Sequence, residues 1–152
     1  DCSIYYAFCQ NFFKQKGGNL SKDVFEQIYH QFNGHTWYIQ CIMNRLYETE
    51  LTIYCIEQVN VALLSILQGR EPQFENMVQF FTENQFALLK AIAKDDIVTQ
   101  PTSGKFIKEH KLSGASSVKA ALKVLEDKEL VYRTNEGYII YDRFMDLWLK
   151  RI

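Results

Sequence analysis

Lysine and serine side chains share one face of a predicted helix over residues 114–128, where they could bind the phosphates of a nucleic acid. Val118, Leu122 and Leu125 recur at helical spacing and predict the buried face. The opposite face then carries Ser116, Ser117, Lys119, Ala120 and Lys123. Small polar residues at a helix start let phosphates approach closely, and lysines neutralise their charge. Arg133, in a predicted hairpin, is a further candidate for contact with DNA.

The same face has a plainer interpretation, a solvated helix surface with ordinary lysines. Glu126, Asp127 and Glu129 follow on the same helix and would repel phosphate. The face has no Arg that could read guanine, and no Asn or Gln that could read adenine. These absences favour the solvated surface over base-specific contact with DNA.

A second cluster, residues 34–40, places aromatic side chains at the predicted start of another helix. Gly34 is followed by His35 and Thr36, and then by Trp37 and Tyr38. The ordinary interpretation is a helix end followed by aromatic residues of the core. A single histidine is more often structural than catalytic, so the residues alone assign no chemistry to this cluster.

No complete catalytic or metal-binding motif occurs in the chain. Gly104-Lys105 resembles the end of a P-loop, but Thr99 stands where a glycine is needed and Phe106 replaces the Ser or Thr. The residues whose types could supply zinc ligands are Cys2, Cys9, His30 and His35. Their spacing fits no known ligand pattern. The sequence therefore predicts no enzyme activity, no metal site and no cofactor held by this chain alone.

Charge and composition fit a cytoplasmic protein. The formal net charge is −1, with −3 on residues 1–82 and +2 on residues 83–152, so the chain as a whole does not attract nucleic acid. The four cysteines form no CxxC pair and are expected to be buried free thiols in a reducing compartment. No apolar run approaches the roughly 20 residues that span a bilayer, so no membrane partner is expected. Because Asp1 lies inside an apparent helix, we expect the chain to be a fragment of a longer protein.

Four amphipathic helices are predicted over residues 1–70. Gly17-Gly18 and Asn33-Gly34 end the first two, and Ser21 and Thr52 are the predicted N-caps of the second and fourth. The predicted inward residues are Ile4, Ala7, Phe8 and Phe12; Val24, Phe25, Ile28 and Phe32; Tyr38, Ile39, Ile42, Met43 and Leu46; and Ile56, Val59, Leu63 and Leu67. Residues 68–72 contain Gly and Pro and predict a break that separates two domains.

Three short helices followed by two strands predict a winged helix-turn-helix domain over residues 71–152. A capping box of Thr82 and Gln85 opens the first helix of the module, and Ser113 is the expected cap of the third. The other elements are a short helix near 73–81, a short strand within 97–100, a helix over 103–110, strands 130–134 and 138–141 around the turn 135–137, and a helix over 144–152. The expected buried residues besides those of the third helix are Phe86, Leu89, Ile92, Phe106, Ile107, Phe144, Leu147 and Trp148.

Three segments resemble the C-terminal part of bacterial and archaeal AAA-type ATPases, in the signal-transduction group with numerous domains. They read GHTWYIQCIMNRLY (34–47), QPTSGKFIKEHKLSGASSVKAALKVLEDKELVY (100–132) and GYIIYDRFMDLWLKR (137–151). The resemblance implies the order P-loop domain, helical lid, winged helix. The fold class is therefore expected to be mainly α, a lid-like helical bundle over 1–70 followed by the winged helix over 71–152.

The resemblance also implies roles for particular residues. A Gly-x-Pro motif opens the lid helix that approaches the nucleotide base in the family, and Gly34-His35-Thr36 stands in its place. Gly34, His35, Thr36 and Trp37 are thus expected near the nucleotide, with Thr36 replacing the proline. ATP or ADP with Mg²⁺ belongs to the parent protein, whose upstream P-loop domain is the expected partner.

The favoured hypothesis is a non-catalytic regulatory module that couples nucleotide state to a winged helix. One alternative is a DNA-binding module whose helix over 114–128 enters the major groove. Another is a protein-interaction domain that uses Tyr132, Tyr138 and Tyr141 on the hairpin. A large exposed apolar patch at these tyrosines would favour that last alternative.

Overall fold

A computed structural model describes residues 1–152 of the chain. It contains eight α-helices and two small β-sheets. The chain divides into two units, Asp1–Gly69 and Arg70–Ile152. The elements are α1 Cys2–Gln15, β1 Asn19–Leu20, α2 Lys22–Gln31, α3 Thr36–Thr49, β2 Thr52–Ile53, α4 Ile56–Val78, α5 Glu83–Asp95, α6 Gly104–Glu109, α7 Ala115–Asp127, β3 Val131–Arg133, β4 Tyr138–Ile140 and α8 Arg143–Leu149. The predicted class is confirmed, because the chain is mainly helical and its hairpin lies where expected. No helix is long and apolar enough to cross a membrane.

The core of the first unit comes from α2 and α3, as predicted. Every residue expected to face inward on these two helices is buried. Phe25 packs edge-to-face against Tyr5 of α1, with ring centroids 5.5 Å apart. Phe32 stacks on Tyr38 at 5.5 Å, which joins the end of α2 to the start of α3. Ser21 is the N-cap residue of α2, but its side chain makes no capping hydrogen bond.

The predicted inward face of α1 is wrong. Ile4, Phe8 and Phe12 are 73%, 58% and 42% exposed, and Ala7 is exposed as well. The buried residues of α1 are Cys9 and Phe13. Apolar and aromatic residues occur all around this helix, so periodicity alone does not select a face. We call Ile4, Phe8 and Phe12 the α1 stripe.

A two-stranded parallel sheet replaces the predicted cap at Thr52. Asn19 pairs with Thr52 and Leu20 with Ile53. The strands approach so closely at Gly18 that a Cβ atom there would lie 1.6 Å from the carbonyl oxygen of Leu51, which excludes any larger residue. The Oε1 atom of Gln10 accepts a hydrogen bond from the Leu20 N–H at 2.8 Å. Thr52 is therefore a strand residue, and α4 begins four residues later.

The predicted break at residues 68–72 is also wrong, because α4 continues through it with Pro72 inside the helix. A proline in a helix interior removes one backbone hydrogen bond and costs about 3 kcal/mol. Gln68, whose carbonyl loses its partner, is exposed to water, whereas Leu67 and Phe74 are 5% and 1% exposed. Burial on either side of the proline therefore offsets its cost. The division between the two units falls within this helix.

In the second unit, α5 and α7 pack against each other through their apolar faces. The capping box of Thr82 and Gln85 is present at the start of α5. The cap of α7 is Gly114 instead of Ser113, because the Ser113 hydroxyl donates to Asn84 Oδ1. Inward residues that are fully buried as expected are Leu89, Ile92, Phe106, Val118, Leu122, Leu125, Phe144 and Trp148. Those that are half-buried instead are Ile56 in the first unit, and Phe86, Ile107 and Leu147 in the second.

The hairpin of β3 and β4 lies where the sequence predicted it, with the turn between the two strands. Val131 pairs with Ile140, and Arg133 with Tyr138. The strand expected within 97–100 is reduced to one antiparallel bridge, in which Val98 and Tyr138 exchange both backbone hydrogen bonds at 2.8 and 3.0 Å. This bridge holds the loop before α6 against the hairpin.

Asp146 of α8 is the one charged residue that is buried, with 1% of its surface exposed. Its Oδ2 atom accepts hydrogen bonds from Arg143 at 2.9 Å and from Lys150 at 3.1 Å. Burial nevertheless raises the pKa of this carboxyl, because desolvation outweighs the attraction of the two cations. Lys150 also contacts Asp96 Oδ1 at 2.5 Å, so this group ties α8 to the end of α5.

We expect Asp146→Asn to change the free energy of unfolding by less than about 1 kcal/mol, and Asp146→Ala to lower it by about 2 kcal/mol. Asn keeps the shape and one acceptor, whereas Ala removes the carboxylate that accepts from both Arg143 and Lys150 and leaves Lys150 with Asp96 alone. A carboxyl whose folded pKa is raised stabilises the fold when protonated, and that contribution is lost as pH rises through the folded pKa. The difference in free energy of unfolding between the wild type and the Asn variant should therefore become smaller as pH falls, because the wild-type carboxyl becomes protonated. Urea unfolding at several pH values measures both effects, and an Asn variant as damaged as the Ala variant would contradict this account.

Candidate functional site

The exposed face of α7 carries the predicted DNA-contacting residues. Ser116, Lys119 and Lys123 are exposed and Ser117 is half-exposed, while Val118, Ala121, Leu122 and Leu125 are buried. No side chain caps the start of α7, so its first N–H groups remain open to solvent or to an anion. The structure thus brings the two serines and two lysines onto one accessible face. Their contact with DNA stays a prediction.

Positive charge is concentrated in the helix-turn-helix of the second unit. Residues 97–125 hold five lysines and one acidic residue, whereas the rest of residues 70–152 hold eight basic and eleven acidic residues. All five lysines are exposed: Lys105, Lys108, Lys111, Lys119 and Lys123. Lys105, Lys108 and Lys111 lie on α6 or directly after it, outside the helix predicted to contact DNA. Their signal in the sequence is the excess of basic over acidic residues across 97–125.

The hairpin presents a smaller aromatic surface than the sequence predicted. Arg133 is exposed, and its guanidinium lies 5.8 Å from the centroid of the Tyr138 ring. Tyr132 and Tyr141 are 43% and 67% exposed and pack edge-to-face at 5.8 Å. Tyr138 is half-buried by comparison. The proposed aromatic surface is therefore a pair of tyrosines with Arg133 beside it in β3.

Gly34 shapes the start of α3. Its φ is +70°, and a Cβ atom there would lie 2.8 Å from Cζ and Oη of Tyr29. Its N–H donates to the Tyr29 carbonyl at 2.8 Å, which closes the turn after α2. Both the backbone conformation and the close contact require glycine. The turn then directs the chain into α3 at Thr36.

His35, Thr36 and Trp37 are exposed at this helix start, and Tyr38 is buried beneath them. The His35 ring lies 4.8 Å from that of Tyr38, and Trp37 packs edge-to-face on Tyr38 at 5.0 Å. The Thr36 carbonyl accepts a hydrogen bond from the Tyr5 hydroxyl at 3.4 Å. Gly34, His35, Thr36 and Trp37 form one segment whose last three residues are exposed, and we call it the α3 start. Its proximity to a nucleotide stays a prediction.

Two grooves flank the α1 stripe in the first unit. One, of about 400 Å³, is lined by Ile4, Tyr5 and Phe8 together with Gly34 and Thr36 of the α3 start. The other, of about 470 Å³, continues past Phe12 to Tyr47. The α1 stripe and the α3 start thus border one continuous surface.

The His, Cys, Asp and Glu side chains are not grouped as a metal site would require, and the cysteines form no disulfide. No group of three or more His, Cys, Asp or Glu side chains is placed to hold a metal ion. All four cysteines are free thiols, and of these only Cys9 is fully buried, the others being half-buried. Burial raises the pKa of the Cys9 thiol to about 11, which keeps it protonated and unreactive at neutral pH.

The second unit matches a family model over residues 72–151, described as a probable winged helix domain. The chain belongs to this family, which indicates a DNA-binding or protein-interaction module of a typically non-catalytic kind. No curated protein and no solved structure matches the chain.

We expect Gly34→Ala to lower the free energy of unfolding by about 1–3 kcal/mol, because the new methyl group meets the Tyr29 ring and the left-handed φ disfavours alanine. Gly69→Ala is the matched control, since Gly69 lies within α4 with no atom within 4 Å of its Cβ position. That substitution should stabilise by about 0.5–1 kcal/mol. Thermal and urea unfolding of both variants provide the comparison. A Gly34→Ala protein as stable as wild type would show that the turn is not constrained in this way.

Proposed function

We propose that this chain is the non-catalytic regulatory module of a P-loop ATPase, with the first unit acting as a helical lid and the winged helix as the regulated element. The observation that carries the proposal is the surface shared by the α1 stripe and the α3 start. A stripe of three large apolar side chains in water is unusual unless another surface covers it. The segment that resembles the family's nucleotide-facing motif lines the same groove as Ile4 and Phe8. An upstream nucleotide-binding domain fits both features.

The α3 start is suited to a nucleotide base and not to its phosphates. His35 and Trp37 offer exposed aromatic rings on which a base or ribose can pack. The chain has no glycine-rich loop with the Lys and Ser or Thr of a phosphate cradle. The upstream domain would therefore hold the phosphates and Mg²⁺ and supply the hydrolysis chemistry. The residues of this chain would contact only the base side of the nucleotide.

Regulation in this proposal is a difference in contacts between two states. A ligand shifts an equilibrium only by its differential affinity for the two states. Contacts made by the α3 start with one nucleotide state and not the other would supply that difference. The winged helix would then be held against the ATPase core in one state and released in the other, with coupling in both directions.

We expect the combined His35→Ala, Thr36→Ala and Trp37→Ala variant of the parent ATPase to bind ATP about tenfold more weakly, a loss of about 1.4 kcal/mol. The cause would be loss of ring contacts with the base. Glu48→Ala with Thr49→Ala, exposed at the other end of α3, is the control and should keep wild-type affinity. A fluorescent ATP analogue measures the dissociation constants. Unchanged affinity in the triple variant would reject the proposed role of the α3 start.

Binding of duplex DNA is a second candidate function, favoured by the concentration of lysines on α6 and α7. In this alternative α7 enters the major groove and Arg133 on the hairpin contacts a phosphate. The acidic residues at the end of α7 and the lack of base-reading side chains on its exposed face favour phosphate contact over sequence readout.

We expect Lys119→Glu with Lys123→Glu to weaken any duplex binding by at least about tenfold, and to lower the dependence of log affinity on log salt by about 2. Lys14→Glu with Lys22→Glu, on exposed lysines of the first unit, matches the change in charge. Fluorescence anisotropy at low and near-physiological salt measures both pairs. Binding that vanishes in the α7 pair alone supports a DNA-binding surface. No binding at physiological salt, or equal losses in both pairs, would reject it and leave the regulatory proposal standing.

A further inference from the structure

A groove of about 620 Å³ in the second unit is lined by four lysines, and neither the family nor the proposed function accounts for it. Its walls come from α5, from the end of α6 and from the end of α8. The lysines are Lys90, Lys94, Lys111 and Lys150. Glu109 is the single acidic residue in the lining. No residue of α7 or of the hairpin lines this groove, and of the five lysines in residues 97–125 it includes only Lys111.

Two of these lysines have no partner within the chain. Lys90 donates to the Ile152 carbonyl at 2.9 Å, and Lys150 is paired with Asp96 and Asp146. The side chains of Lys94 and Lys111 are exposed and make neither a hydrogen bond nor an ion pair. Two uncompensated ammonium groups therefore border one small cavity, and the two engaged lysines add positive potential to it.

The backbone at Lys111 holds this residue at the groove in an unfavourable conformation. Its φ is +54°, in the left-handed region, at the residue that follows the C-cap His110 of α6. Glycine is the usual residue at this position, because it adopts positive φ without strain. A lysine here is less stable than glycine would be. Glu129 has the same left-handed conformation after the C-cap of α7, so the conformation alone does not mark a site. At Lys111 it places an ammonium group at the groove and beside the C-terminal end of α6.

Side-chain contacts also hold the residues that lie next to Lys94 and Lys111. His110 Nε2 lies 3.0 Å from Asp95 Oδ2, and its ring packs on Phe106 with centroids 4.5 Å apart. Only 6% of the His110 side chain is exposed, so this pair fixes the end of α6 against the end of α5. Lys94 and Lys111 lie directly beside these two anchored residues in the chain. The lysines therefore project from a rigid part of the unit.

We propose that this groove binds a small molecule that carries two or more phosphate groups. Its volume lies within the range of small-molecule sites. Lysines bind phosphates as compact point charges and need no planar geometry in the ligand. A carboxylate ligand would also be attracted, but it offers less charge to four lysines than a polyphosphate does. The competing explanation is that the lysines only offset the dipoles of the helix ends around the groove.

Titration of the chain with inorganic tripolyphosphate, followed by amide NMR and calorimetry, tests the proposal. We expect saturable binding, with shifts concentrated at residues 90–94 and 109–111. Lys94→Gln with Lys111→Gly should weaken binding at least about tenfold, since it removes both unpaired charges. The glycine relieves the left-handed φ, so we expect this variant to unfold at a temperature no lower than wild type, and thermal unfolding checks this beside the titration. Lys119→Gln with Lys123→Gln on α7 is the control of equal charge and should stay within about twofold of wild type.

Three outcomes would overturn the proposal. The first is the absence of saturable binding at millimolar tripolyphosphate, which would leave dipole compensation as the role of the lysines. The second is equal weakening in the two double variants, which indicates diffuse attraction to the net charge. The third is a shift pattern centred on α7, which assigns the anion to the candidate DNA surface. None of these outcomes bears on the ATPase proposal, which is tested through residues of the other unit.

Discussion

The packing of α7 on α5 is the constraint on which the second unit depends. Val118, Leu122 and Leu125 of α7 and Leu88, Leu89 and Ile92 of α5 are all buried, so the rotation of α7 about its axis is fixed by its apolar stripe. That rotation leaves Ser116, Lys119 and Lys123 in water. Large core side chains cost about 2–5 kcal/mol when truncated to alanine, more than any exposed lysine contributes to stability. The packing of the core therefore decides which positions of α7 are exposed. The residues at those exposed positions can vary without changing the fold.

Sequence periodicity predicted the elements whose apolar stripe is unambiguous. In α2, α3 and α7 the apolar residues lie at helical spacing with polar residues between them, and the predicted inward residues are buried. In α1 the residues from Ile4 to Phe13 are largely apolar or aromatic on every side. Burial is then decided by which side α2 and α3 cover, and only the tertiary structure contains that information. Because α1 is apolar on every side, the part of its surface that α2 and α3 leave uncovered, the α1 stripe, is exposed and is a candidate interface.

The remaining errors have a common physical origin, contacts between residues distant in sequence. The pairing of Leu20 with Ile53 joins strands of two residues each, too short to show alternation. Pro72 is a strong local signal for a break, but the burial of Leu67 and Phe74 outweighs it. Ser113 has the residue type of a cap, yet its hydroxyl reaches Asn84 in another helix. For the candidate sites, the sequence identified the exposed serines and lysines of α7 but not the groove, because its lysines come from α5 and from the residues that follow α6 and α8.

The second unit carries two clusters of lysines, one in the helix-turn-helix and one in the groove. The lysines of α6 and α7 and those of the groove lie on a unit whose remaining residues carry more acidic than basic groups. Interactions between exposed charges are screened beyond roughly 8 Å at physiological salt, so each cluster acts on ligands at its own surface. Lys111 belongs to both sets, because it follows the C-cap of α6 and also lines the groove. An anion bound there would neutralise a charge of the helix-turn-helix without covering α7. In the DNA-binding alternative, occupancy of the groove would therefore remove the attraction between this one lysine and phosphate and leave the lysines of α7 accessible.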